Sequence, residues 1–277
     1  MKFQILVDSS CDMLAENFSN SEIGFKVIPL TIYVGDKEFV DDENLNVEEL
    51  ISAMNAFKGK MSSACPAPEA FLEQMGKADY TFVVTMTAKL SGTYNSACVA
   101  RDMYEKPENV YVFNTKSTAG SMELVVEEIV RQIEQEQSFT QIVENVEKFI
   151  KNKHLFFILH KFDNLIANGR MSKFAGFMAK TLVIKPICSA SPEGTIDIVN
   201  KCVGSLNAYK KMVDLMGQRC NDFGDRKLII SHCNNEEDAK KIETLVKGKL
   251  GFKQIIIKAM RGLTSFYAQE KGLILCY

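Results

Sequence analysis

At 277 residues, the chain is too long for a peptide-like module and has the size of two domains or one large α/β unit. Its 46% hydrophobic and 25% charged residues exclude disordered, collagen-like and membrane compositions. With 33 Lys plus Arg against 35 Asp plus Glu, the net charge of −2 provides no field for a polyphosphate backbone, so no nucleic acid partner is expected.

Short apolar or β-branched runs alternate with amphipathic stretches, the pattern of βαβ units around a largely parallel sheet. The first predicted strand, Phe3–Asp8, ends in Asp8-Ser9-Ser10-Cys11-Asp12. That is where open α/β sheets gather ligand contacts, and equally where Asp8 or Ser10 would cap the next helix; both readings stand. A strand over Lys26–Val34 and a helix over Val47–Phe57 follow. Ser62-Ser63-Ala64-Cys65-Pro66-Ala67-Pro68 then forms a stiff, hydroxyl-bearing loop into a helix over Pro68–Lys77, suited to a ligand head or to ordinary helix-start punctuation.

After the strand Tyr80–Met86 comes Leu90-Ser91-Gly92-Thr93-Tyr94-Asn95-Ser96-Ala97, leading into a helix over Thr93–Met103. Gly92 lets a bound group approach the backbone, and the free N–H groups of the first turn suit a carboxylate or phosphate. Dinucleotide, P-loop and nucleophile-elbow motifs are absent, which leaves a hydrolase built on Ser91 or Ser10 without sequence support. The strand Asn109–Asn114 and helices Ser121–Gln135 and Thr140–Lys151 close a first α/β unit, so an N-terminal domain over 1–152 and a C-terminal one over 153–277 are expected.

The second unit reads as strands Leu155–Leu159, Leu182–Ser189, Ile196–Asn200, Lys227–His232, Gln254–Ala259 and Leu273–Tyr277, with helices Leu206–Gln218 and Glu236–Lys249. His154, His160 and His232 lack metal spacing, and of the three only His232, beside Ser231, invites a triad reading. Asn168-Gly169-Arg170-Met171-Ser172 and Arg261-Gly262-Leu263-Thr264-Ser265-Phe266-Tyr267 offer two guanidiniums at loop positions, for an anion, a partner or a surface ion pair. The eight cysteines contain no C-x-x-C pair and read as reduced thiols. MKFQILVDSS meets a polar turn too early for a signal peptide, and no apolar run reaches the ~18 residues that span a bilayer, so a cytoplasmic protein without stable membrane insertion is expected. The 18 Phe and 13 Met suit a greasy channel or a plain core.

The Asp-Ser-Ser start, the hydroxyl loop with Pro, Leu90–Asn95, Asn168–Ser172 and Lys185-Pro186 with Gly194 after it occur in an order that resembles the DegV family over nearly the whole chain. The resemblance implies two α/β domains with a lipid-binding cleft or tunnel between them. It further implies a buried long-chain fatty acid as the only bound small molecule, with no metal and no other cofactor. Ser63 and Ser91 would donate hydroxyl hydrogen bonds to its carboxylate, and Gly92 and Thr93 would offer N–H groups. Arg170 would lie at the ligand mouth or on a partner-facing surface, and Arg261 and Thr264 complete the expected ligand-binding set. Some family members present the acyl carboxylate to a separate ATP-binding kinase. They resemble one another in a Lys-Val-Arg-Thr stretch and a His-x-Gly-Pro-Gly loop, where this chain has Lys201-Cys202-Val203-Gly204 and Arg261–Tyr267. The expected function is a non-catalytic fatty acid carrier, with the acyl-binding subunit of a fatty acid kinase as the alternative.

Overall fold

The computed structural model describes residues 1–171 and 184–277, so Ser172, Leu182 and Val183 of the expected motif and strand lie outside the described residues. All six residues of β1 (Phe3–Asp8) are buried, as expected of a central strand covered on both faces. It lies between β2 (Ile23–Ile28) and β6 (Tyr80–Thr85), with β7 (Val110–Asn114) beyond, in a parallel sheet of order β2-β1-β6-β7. Helices α4 (Gly120–Glu134) and α5 (Phe139–Asn152) put Val125, Ile129, Ile142 and Val146 on one face. Helices α2 (Pro68–Leu72) and α3 (Thr93–Met103) put Phe71, Ala97 and Ala100 on the other. A capping box of Ser138 and Gln141 starts α5 and satisfies two orphan N–H donors.

The expected single strand over Lys26–Val34 is two, because Pro29 lacks the N–H that a continuous ladder needs. Its second half, β3 (Thr31–Val34), forms an antiparallel sheet with β4 (Lys37–Val40) and β5 (Ser62–Ala64). The supposed loop at Ser62–Ala64 is thus an edge strand that fixes Ser63 opposite Ile32.

A second sheet has the order β10-β9-β8-β13-β11-β12, formed by β8 (Leu155–Ile158), β9 (Ile184–Ala190), β10 (Ile196–Val203), β11 (Lys227–His232), β12 (Gln254–Ala259) and β13 (Leu273–Cys276). Among the described residues of this sheet only β11 and β12 pair in parallel, so the expected largely parallel arrangement holds for the first sheet and not for the second. The β9–β10 pair is a hairpin, and β13 inserts antiparallel between β8 and β11. Hydrophobic periodicity carries no strand direction, so the sequence could not distinguish these arrangements. Helices α7 (Ser205–Arg219) and α8 (Glu236–Lys247) cover one face through Met212, Val213, Ile242 and Val246. Alternation along β8 sends Phe156 and Ile158 to that face, and Leu155 and Phe157 to the opposite one.

That opposite face meets α4 and the loops of the first sheet. Glu123 and Glu127, one turn apart on α4, pair with Lys258 at 2.6 Å and Lys227 at 2.5 Å on β12 and β11. Two short helices complete the second half: α6 (Asp163–Ala167), just before the Asn168–Arg170 turn, and α9 (Gly262–Ala268), in a segment read as a loop. All eight cysteines are free thiols, and burial pushes Cys188 and Cys276 up to about 12.

Candidate ligand cavity and its polar end

In an open parallel sheet, residues after the strand ends converge beyond the carboxyl edge, most openly where the strand order reverses. Here the order reverses at β1, and the loops after β6 and β7 supply Met86, Thr87, Leu90 and Ser117 to the wall of a cavity. The opposite wall is the apolar face of the second sheet, with Leu155, Phe157 and Ile274. Helix α9 adds Leu263, Thr264, Tyr267 and Ala268, and the β9–β10 hairpin adds Ala190, Gly194, Thr195 and Ile196. The cavity holds about 750 Å³ of space between the atoms, part of it open to solvent.

Around Tyr267, this apolar space meets a polar cluster. The Ser63 and Tyr267 hydroxyls share a hydrogen bond of 2.7 Å, and the Arg170 guanidinium lies over the Tyr267 ring at 5.6 Å. Arg170 donates from Nε to the Leu90 carbonyl at 2.9 Å and from Nη1 to the Asn168 carbonyl at 2.6 Å. The next residue, Ser91, shares a 2.8 Å hydrogen bond with the Thr93 hydroxyl and accepts from the Thr93 N–H at 3.3 Å. Gly92 starts α3 without a side-chain cap, and Ser96 ties α3 to the hydroxyl loop by donating to the Pro66 carbonyl at 2.6 Å. Five of the seven sequence-predicted residues, Ser63, Ser91, Gly92, Thr93 and Arg170, are therefore joined by contacts in one neighbourhood beside the cavity, and of these five Arg170 alone lines it. Its hydroxyls, helix N-terminus and guanidinium can together orient an anion.

Arg261 and Thr264 serve a different part of the fold. The Arg261 guanidinium donates to the Asp42 carbonyl at 2.6 Å and does not line the cavity. Thr264 lines the cavity, but its hydroxyl donates to Asp12. Asp12 also accepts from the Arg261 N–H at 2.9 Å, while Asp41 accepts from the N–H groups of Gly262 at 3.0 Å and Leu263 at 2.9 Å. Two carboxylates from the first half of the chain thus hold the start of α9, a wall of the cavity. Burial pushes Asp12 up to about 7, against the opposing pull of Thr264, Arg261 and Lys258, with Asp41 adding to the rise.

At the end of β1, Asp8 accepts from the N–H groups of Ser10 at 3.0 Å and Met86 at 2.6 Å. The capping reading of that motif is the one realised, with the further role of holding the loop after β6. Among the described residues, neither the Ser10 nor the Ser91 hydroxyl has an imidazole partner, as a serine nucleophile would need. The His232 ring accepts from the Asn235 N–H through Nδ1 at 3.3 Å, a local turn contact. Sequence reasoning singled out neither Tyr267 nor Asp41. Tyr267 stands inside a quoted motif, but its role becomes visible only once its hydroxyl meets Ser63.

The family model described as Uncharacterised protein, DegV family, matches residues 2–274. The chain belongs to the DegV family. A DegV domain-containing protein of Streptococcus gordonii is 35% identical to this DegV protein over 282 residues, covering 100% of this chain and 99% of the relative. The crystal structure of the Streptococcus pneumoniae Fatty Acid Kinase (Fak) B3 protein loaded with linoleic acid superposes with a TM-score of 0.93 at 32% identity, covering 100% of this chain and 99% of that one. A DegV family protein from Eubacterium eligens loaded with heptadecanoic acid gives 0.90 at 34% identity, with coverage of 99% and 98%. The DegV family protein from Ruminococcus gnavus, described with vaccenic acid, gives 0.92 at 32%, with coverage of 100% and 99%. Among the described residues, no helix is long and apolar enough to cross a membrane.

Arg170 braces the polar end by reaching two carbonyls with one planar fork. Arg170→Ala is expected to lower the unfolding free energy by about 1–2 kcal/mol in urea titrations, since it leaves the Leu90 and Asn168 carbonyls without this donor. Arg170→Lys should recover less than half of the loss, because an ammonium cannot reproduce the fork.

Proposed function

We propose that this DegV protein binds one long-chain fatty acid and acts as a non-catalytic carrier. The carboxylate sits among Ser63, Ser91, the Gly92–Thr93 helix start and Arg170, with the tail in the apolar cavity between the sheets. The observation that carries this reading is an apolar cavity ending on hydroxyls and a guanidinium, in a fold whose relatives above 30% identity were crystallised with linoleic and heptadecanoic acids. Each buried methylene contributes ~0.8 kcal/mol, so affinity follows the tail, while the polar end sets orientation. Residues 1–152 and 153–277 are taken as the two α/β domains that enclose the ligand, in a protein placed in the cytoplasm.

Native mass spectrometry of the purified protein, followed by denaturation and identification of what is released, tests the reading. A stoichiometric long-chain fatty acid is the expected result. A protein that is empty and takes up no added stearate or oleate overturns it. The likeness to the Fak B3 protein favours a second role, presentation of the bound carboxylate to a partner kinase for phosphorylation. ATP-dependent acyl phosphate formation with an added cognate kinase is its measurement.

A further inference from the structure

Among the described residues, the hydroxyl groups in the cavity wall are almost all occupied. Thr87 donates to the Gly194 carbonyl at 2.8 Å, Thr195 shares a 2.9 Å bond with Ser191, Thr264 donates to Asp12, and Thr118 lies 3.4 Å from the Ser10 carbonyl. Ser117 differs from all of them. It lines the same cavity and is 5% exposed, yet its Oγ has no hydrogen-bond partner among the described residues. Its backbone is held in place, because the Ser117 carbonyl accepts from the Thr87 N–H at 2.9 Å and from the Thr115 hydroxyl at 3.4 Å. Ser117 thus borders the cavity from a fixed loop between β7 and α4, with its hydroxyl buried and unpaired among the described residues.

A buried hydroxyl left unpaired costs free energy, and a partner supplied from the cavity would recover that cost. Ser117 can both donate and accept, so the complementary group is an oxygen substituent on the ligand, not a second carboxylate, which would leave a charge in apolar surroundings. Arg170 and the helix start already serve the single charged end. We propose that Ser117 is a specificity-determining residue that favours acyl chains carrying a hydroxyl or oxo group along the tail over their unsubstituted counterparts. This inference rests on the fatty acid reading and deepens it by naming the class of acyl chain.

The test is competitive binding of stearate and a panel of monohydroxystearates spanning the chain, measured on the delipidated protein and on Ser117→Ala. One hydrogen bond to a buried hydroxyl corresponds to about a tenfold difference in affinity. The best hydroxystearate is expected to bind the unaltered protein about tenfold more tightly than stearate does, and that preference should vanish in Ser117→Ala. Ser117→Cys, close to serine in volume but with only a weakly hydrogen-bonding thiol, should lose most of the preference, as the alanine variant does. Stearate binding with no hydroxy isomer preferred, or a preference that survives in both variants, overturns the inference while leaving the fatty acid reading intact. Failure of the unaltered protein to bind stearate and every hydroxystearate overturns both.

Discussion

Gly194→Ala is expected to destabilise the protein by about 2–4 kcal/mol and to accelerate release of a bound fatty acid. Gly194 lies at φ +90, a conformation that L side chains rarely adopt, at the tip of the β9–β10 hairpin. An added Cβ would stand 2.2 Å from the Thr87 hydroxyl and 3.0 Å from the Lys116 Cα. A hydroxyl can rotate away, but the Lys116 contact is backbone, so the hairpin tip must lift. Because Ala190, Thr195 and Ile196 of this hairpin line the cavity, lifting the tip opens the wall. Gly204→Ala is the matched control, as Gly204 has φ +80 with no atom within 4 Å of the new Cβ. It should cost only the backbone term of about 1 kcal/mol and leave ligand release unchanged. Urea titrations and stopped-flow ligand dissociation on the two variants separate docking from conformational strain. Equal effects on release would show that the hairpin does not hold the cavity closed.

The second large effect concerns Asp12, which is 3% exposed and raised by burial from 3.8 to about 7. When a carboxyl group has a higher pKa in the folded state than in the unfolded chain, the native state binds more protons throughout the window between the two values. The Asp12 contribution is therefore most favourable below about pH 4 and is lost as pH rises through about 7. The full amplitude is on the order of 4 kcal/mol, from about three pH units at ~1.4 kcal/mol each. Asp12→Asn keeps an acceptor for the Arg261 N–H and the Thr264 hydroxyl, and asparagine suits the left-handed backbone at φ 58. The stability of the unaltered protein relative to Asp12→Asn should thus fall steadily from pH 4 to pH 7 and level off above it. Burial also pushes His154 down to about 4 and Lys153 down to about 7. Both groups are present in both proteins and cancel in the difference. A difference that is flat with pH would mean that burial does not raise the Asp12 carboxyl above its ordinary range.

Both effects arise where distant parts of the chain meet, and this marks the limit of what could be read in advance. The loop from Leu90 to Thr93 was legible because a glycine between hydroxyls before an amphipathic stretch is a local pattern with a local physical meaning. The β5 strand was not, since Ser62–Ala64 has no alternation of its own and becomes a strand by pairing with β3. Arg261 looked like a ligand group because a guanidinium after a strand is exposed by default. The fold turns it onto the Asp42 carbonyl, a residue 219 positions away.

By itself, the sequence determined the α/β class, the central strand β1, most of the long helices, the free thiols and the family resemblance. These follow from periodicity, capping residues and composition, all properties of neighbouring residues. Tertiary structure alone decided the direction of the strands in the second sheet and the hydroxyl pair of Ser63 and Tyr267, which are 204 positions apart. It also decided the carboxylates beneath α9 and, among the described residues, the unpaired hydroxyl of Ser117 in the cavity wall. Each of these depends on which surfaces meet when the two sheets pack, and burial then sets how much an unpaired or charged group costs.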